Sequence, residues 1–269
     1  MDPVIYKLSD SFEIRWYGVM AALGFIAAVF VALKNRKIAE MSKDQVYNLL
    51  LLTMLSGVIG ARIFYVISFW ERDGFGRNPL TVFLINKGGL VYYGGFILAF
   101  ITIFVYSRRS KLNFMRVIDM MAPSLALGHA ISRVGCFLNG CCYGKATCMV
   151  WGHIYPASAV PGKLHPGVSL HPVQLYETFG NLIIFVILQK FLHKSKCGQT
   201  AALYLMLYGV LRFLDEFFRG DHARSEFTFG LFSPAQTICL FIIPAGIALY
   251  IYSTRKAQNA GTNTKVQDR

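Results

Sequence analysis

The chain has 269 residues, of which 55% are hydrophobic, 14% aromatic and only 15% charged. Soluble domains carry about a quarter charged residues, so this composition excludes an ordinary soluble fold and indicates one polytopic membrane domain. The formal net charge of +13 is read as a topology signal: the basic residues are scattered over short loops and a tail, which argues against a nucleic-acid partner.

In chain order, the opening MDPVIYKLSDSFE precedes a first apolar run without a cleavage site, expected to be an uncleaved span. A helix of about 20 residues crosses the hydrocarbon core. Seven such spans are predicted, near 14–33, 46–69, 90–106, 117–138, 172–191, 200–218 and 229–253. KNRKIAEMSK, SRRSKLNFMR, KFLHKSK and the tail after Ser253 hold most of the Lys and Arg, whereas the alternate connections ERDGFGRNPLTVFLINKGG and RGDHARSEFT mix both signs. The positive-inside rule therefore places the N-terminus outside and the C-terminus in the cytoplasm. The expected fold is all-α: a transmembrane domain over 1–254, a small irregular extracytoplasmic cap inserted at about 139–171, and a polar, disordered cytoplasmic tail over 255–269.

A charged side chain within a span costs a few kcal/mol and normally faces protein or water. With this orientation the charges gather toward the outer face. Arg15, Trp16 and Tyr17 begin the first span, Arg62 lies in the outer half of the second, and Tyr92 and Tyr93 begin the third. Arg133 ends the fourth, His171, Gln174 and Glu177 open the fifth, and Arg212 and Glu216 close the sixth. Helical spacing puts Tyr208, Arg212 and Glu216 on one face, and Gln174, Glu177 and Asn181 on another. Packed inward, these faces would enclose a cation-rich cavity. Arg15 and Trp16 also suit interface anchors, Arg62 an ion-pair partner, and His129 a core histidine. Arg133 and Arg212 are harder to assign to structure alone, because the planar guanidinium fork binds phosphate oxygens bidentately.

Cys136, Cys141, Cys142, Cys148 and His153 have the spacing C-x4-C-C-x5-C-x4-H, which lacks the paired C-x2-C units of a structural zinc site. No metal is expected. A disulfide from Cys141 or Cys142 to Cys148 is open on the outer side, and Cys197 and Cys239 read as bystanders. A thiol oxidoreductase and a lipid or anionic-solute transporter are the rival readings. The former would show C-x-x-C, the latter inverted repeats with broken helices.

The motifs DPVIYKL…IRWYGVM, GARIFYV, GGLVYYGGF, SRVGCFLNGCCYG, HPVQLYE and RFLDEFFRGD occur in the order seen in bacterial prolipoprotein diacylglyceryl transferases, and the chain resembles that family from residue 2 to about residue 246. The resemblance implies an enzyme of the bacterial inner membrane. It would move the diacylglyceryl group of phosphatidylglycerol to the lipobox cysteine of a preprolipoprotein, releasing glycerol 1-phosphate, with no cofactor. The family pattern G-R-x-x-N-F-x-N-x-E-x-x-G is matched at Arg133, Phe137, Asn139 and Gly144. Ser132, Cys136 and Cys141 depart from it, and Tyr93 stands where some members carry histidine. On this resemblance Arg133 and Arg212 are the candidates for the phosphodiester, and Tyr93 or His171 for handling the thiol proton. Tyr17, Arg62, Asn139, Gly144, Gln174, Glu177 and Glu216 are the candidates for binding substrate.

Overall fold

The computed structural model describes residues 3–9, 12–76, 78–84, 89–221 and 231–267. The connection predicted between the sixth and seventh spans lies outside the described residues from 222 to 230. A short hairpin, β1 (Val4–Ser9) and β2 (Phe12–Arg15), leads into α1 (Trp16–Asn35). Then come α2 (Lys43–Ser68), α3 (Tyr92–Arg109), α4 (Phe114–Asn139), strand β3 (His153–Ile154), the short α5 (Val160–Leu164) and strand β4 (Ser169–Leu170). The chain continues with α6 (Val173–Leu192), α7 (Gln199–Asp215) and α8 (Pro234–Gln267).

The long helices coincide with the predicted spans, and their surfaces are inverted relative to a soluble protein. Ile26, Phe30, Ile67, Phe179, Ile183 and Phe241 are exposed, while Gln174, Glu177, Thr178 and Asn181 are buried. An apolar exterior over a polar interior is what a lipid solvent demands. By length and composition, Trp16–Ala39, Lys43–Ser68, Val173–Leu192 and Pro234–Asn259 can cross a membrane. The other three predicted spans, α3, α4 and α7, fall short by those measures: α7 has 17 residues, and α4 carries Arg116, Asp119 and Arg133.

The chain forms two compact units, Asn35–Val117 and the remainder. In the smaller, Ser42 and Gln45 form a capping box that starts α2, satisfying two of its orphan N–H groups. α2 and α3 meet at glycines; a Cβ on Gly60 would collide with the Gly94 carbonyl. Arg62 near the end of α2 donates to the carbonyls of Val82 (2.7 Å), Thr81 (2.8 Å) and Gly89 (3.1 Å).

In the larger unit α1 and α4 approach at Gly24 and Gly128, where a Cβ on either glycine would press on the other's carbonyl. At the opposite end of α4, Asp119 is fully buried and caps α7 from a neighbouring helix. Its carboxylate accepts from the N–H of Gly198 (2.6 Å) and of Ala201 (2.9 Å). The segment between α4 and α6 is more ordered than the irregular cap predicted. β3 and β4 pair antiparallel, and Tyr143, Tyr155, Ala159 and Leu170 form a small apolar cluster against Phe137 of α4. Backbone bonds from Lys145 N–H to Phe218 and from Gly220 N–H to Tyr143 tie it to the end of α7. α8 continues to Gln267, through the stretch after Ser253, which no proline interrupts.

Asp119→Ala would leave two buried N–H groups at the positive end of α7 without an acceptor. It should lower stability by about 1–3 kcal/mol, read as a lower unfolding midpoint in detergent. Asp119→Asn, which keeps one acceptor, should lose less.

Candidate functional site

The buried stripe of α6 changes character along its length. Gln174, Glu177, Thr178 and Asn181 occupy the half next to the β3–β4 segment, and Ile184, Leu188 and Leu192 the other. One helix thus supplies a polar wall and an apolar anchor. Glu177, only 2% exposed, receives α4. Arg133 Nε lies 2.9 Å from one carboxylate oxygen and His129 Nε2 3.1 Å from the other. His129 and Arg133 are one turn apart on α4, with Nε2 and Nε 3.0 Å apart. His129 is therefore no ordinary core histidine. It stands between a carboxylate and a guanidinium, with its ring against Tyr208.

α7 brings the second guanidinium. Arg212 pairs with Glu216 one turn later, and Glu177 also feels its charge. The two arginines singled out by sequence thus each have a buried carboxylate partner, Glu177 for Arg133 and Glu216 for Arg212. Arg219, past the end of α7 and bridged to Gly144, forks onto Asp221 at 3.0 and 2.9 Å and lies 4.0 Å from Glu216. The sequence reading passed over Arg219 and Asp215, and helical spacing does not reach Arg219 because the helix has ended. Arg133, Arg212 and Arg219 pair with Glu177, Glu216 and Asp221, so these cations come with counter-charges, which burial requires. Buried acceptors without a protein hydrogen bond lie in the same region: Asn139 Oδ1, Asn181 Oδ1 and Asp215 Oδ2.

The quoted SRVGCFLNGCCYG closes α4. Gly140 is left-handed (φ 72°), its N–H bonds Phe137 O (3.2 Å), and the N–H of Cys141 bonds Cys136 O (3.1 Å). These two bonds define a Schellman turn. Its usual apolar contact, between the third-last helical residue and the second residue past the end, here joins Cys136 and Cys141. Cys142 follows with φ 59°. All six cysteines are free, so the disulfide considered between Cys141 or Cys142 and Cys148 is not formed. Hydrogen bonds from the Cys136 and Cys141 thiols, with Arg133 and Arg219 nearby, hold the Cys142 thiol well below the ordinary thiol range. Behind the turn, Gln174 Nε2 donates to Cys141 O (2.7 Å) and lies 3.0 Å from the Tyr155 hydroxyl, which burial pushes up to about 12. Tyr17 sits half-exposed where Gly135 leaves room beside α1.

Other candidates are placed differently. Arg62 and Tyr93 belong to the smaller unit. Arg62 donates to the three loop carbonyls and clamps that loop onto α2. Gly144 is a close-approach glycine, with His171 and Val173 of the chain itself beside it. His171 Nδ1 lies 3.0 Å from the Tyr176 hydroxyl, which accepts from the Trp151 indole at 2.8 Å. The indole can only donate, and the hydroxyl oxygen it donates to keeps a second lone pair, so the Tyr176 contact is compatible with either tautomer of the His171 ring.

The family model described as prolipoprotein diacylglyceryl transferase matches residues 3–252. A phosphatidylglycerol–prolipoprotein diacylglyceryl transferase of Finegoldia magna is 34% identical over 253 residues, 93% of this chain and 95% of that protein. Those of Chlorobaculum tepidum and Dehalococcoides mccartyi are each 35% identical, covering 97% and 98% of this chain and 92% and 98% of their own.

Removing Glu177 would strand a buried guanidinium. Glu177→Ala is expected to cost about 3–5 kcal/mol of stability, and the Arg133→Met, Glu177→Leu pair much less than the sum of its single changes. Denaturant unfolding of the four proteins in detergent measures that coupling.

Proposed function

The chain belongs to the prolipoprotein diacylglyceryl transferase family, and from that membership we propose that it transfers the diacylglyceryl group of phosphatidylglycerol to the lipobox cysteine of a preprolipoprotein, releasing glycerol 1-phosphate. The reaction is placed at the outer leaflet of the bacterial inner membrane. Seven spans, an external N-terminus and a cytoplasmic C-terminus complete the reading. The observation that supports it is a pair of buried guanidiniums on neighbouring helices, each held by its own carboxylate: Arg133 by Glu177 and Arg212 by Glu216.

The chemistry follows from the charges. The acceptor thiolate attacks the glycerol carbon that bears the phosphate, a carbon–sulfur bond forms, and the carbon–oxygen bond breaks. The departing phosphate gains negative charge. Preorganised guanidiniums in a water-poor pocket favour that change, and loss of a single such donor elsewhere costs about 3 kcal/mol. Arg133 and Arg212 are assigned to the phosphodiester, and Glu177 and Glu216 hold their guanidiniums in place. Asn139 and Gln174 at the end of α4 and the start of α6, with Tyr17 at the head of α1, form the polar surround of the head group. An unmet buried acceptor costs about 1–3 kcal/mol, so Asn139 Oδ1 and Asn181 Oδ1 suit hydroxyls of the glycerol head.

The proton of the acceptor thiol needs only modest help, since a free thiol ionises near pH 8.5. His171, beside Tyr176, is a candidate for accepting that proton. Tyr93 stays a candidate for contact with the acceptor.

Arg212→Ala should reduce transfer from labelled phosphatidylglycerol to a lipobox peptide by about 10²–10³-fold or more, with folded protein still in the membrane; normal transfer would remove its role. With His171 as the base, His171→Gln should remove one limb of the pH–rate profile, and an unchanged profile would exclude it. For topology, the exposed Cys148 should react with an impermeant maleimide on intact spheroplasts, and Cys197 only after permeabilisation.

A further inference from the structure

The thiols at the end of α4 have no part in the reaction proposed above. The Sγ atoms of Cys136, Cys141 and Cys142 all lie within 4.8 Å of one another. Three thiolates on one tetrahedral zinc, with Zn–S near 2.3 Å, stand about 3.8 Å apart. Closing the cluster onto an ion therefore takes a contraction of about 1 Å at most, within reach of small side-chain rotations.

The backbone makes this arrangement, which sequence spacing concealed. C-x4-C-C is not a familiar zinc spacing because it does not use a C-x2-C loop. The Schellman turn substitutes for one by bringing the third-last helical residue against the second residue past the end. Cys142 then adopts a left-handed conformation that costs a residue with a side chain about 1–2 kcal/mol, and this turns the third thiol toward the other two. A strained non-glycine residue beside a cluster of ligating atoms is the pattern expected of a built site.

The surroundings also suit thiolates. Three of them with a divalent ion carry one net negative charge. Arg133 Nη1 donates to Cys136 Sγ at 3.9 Å. Cations and N–H donors directed at ligating sulfurs are the outer partners that steady such a centre. Cys148, exposed and outside the cluster, is not needed.

We propose that Cys136, Cys141 and Cys142 form a three-thiolate site for a single soft metal ion of the Zn2+ class, with a fourth position left to water or an incoming thiol. Binding displaces the thiol protons to solvent and needs no oxidant. The inference goes beyond the transferase reading and does not rest on it.

The test uses full-length protein purified in detergent under reducing conditions from zinc-replete cells. Elemental analysis should find about one zinc per chain, and Co2+ in its place should give a thiolate-to-metal charge-transfer band. The Cys141→Ser, Cys142→Ser double variant should lose the band and at least about tenfold in zinc affinity. Cys197→Ser, Cys239→Ser should keep both. In the wild-type chain, which avoids any folding defect of the variants, zinc should slow maleimide labelling of the three cysteines and a chelator should restore it. Substoichiometric zinc, a disulfide among the three in unreduced peptides, equal zinc in the double variant, or labelling indifferent to the chelator would each overturn the proposal.

Discussion

The ion pair between Arg133 of α4 and Glu177 of α6 is the interaction on which the interior depends. A guanidinium and a carboxylate taken out of water each carry a desolvation penalty of several kcal/mol, offset only by close pairing and further hydrogen bonds. The chain meets that condition at 2.9 Å, with His129 on the free side of the carboxylate and Arg212 within electrostatic reach. Once α4 and α6 are joined in this way, α7 must bring its own arginine with its own counter-charge, and Glu216 one turn beyond Arg212 supplies it.

The same requirement organises what surrounds the pair. α6 can bury four polar side chains on one half because its other half packs Ile184 and Leu188 against Ala122, Ala126 and the apolar residues of α7. The segment between α4 and α6 is sewn to the end of α7 by backbone hydrogen bonds, so the loop carrying the cysteines cannot move independently of Arg219. Carboxylates paired with the buried guanidiniums have a consequence for any anionic ligand. A phosphate entering this region competes with carboxylates already in place, and its affinity is set by which guanidinium edges they leave to it.

Much of this was legible in the sequence, and particular residues show why. Gln174, Glu177 and Asn181 were read as one inward face because a 3.6-residue period is a property of the helix alone, and all three are buried. The partners of Arg62, the carbonyls of Thr81, Val82 and Gly89, were not legible because they are backbone groups that no side-chain pattern advertises. Gly144 was read as a close approach, but the chemistry of a glycine does not say that His171 and Val173 are the neighbours that come close. His129 was undervalued because its partners come from α6 and α7, about 50 and 80 residues away in the sequence.

The sequence by itself determined the membrane class, the positions of the long helices, the family and the two arginines, because composition, period and motif order act locally and survive without coordinates. Only the tertiary structure decided that Arg133 pairs with Glu177 of a distant helix, that carboxylates accompany the buried guanidiniums, and that three cysteines with unfamiliar spacing meet. Those outcomes depend on helix contacts between distant segments and on two left-handed residues in one turn, and neither distance nor backbone handedness is written in residue order.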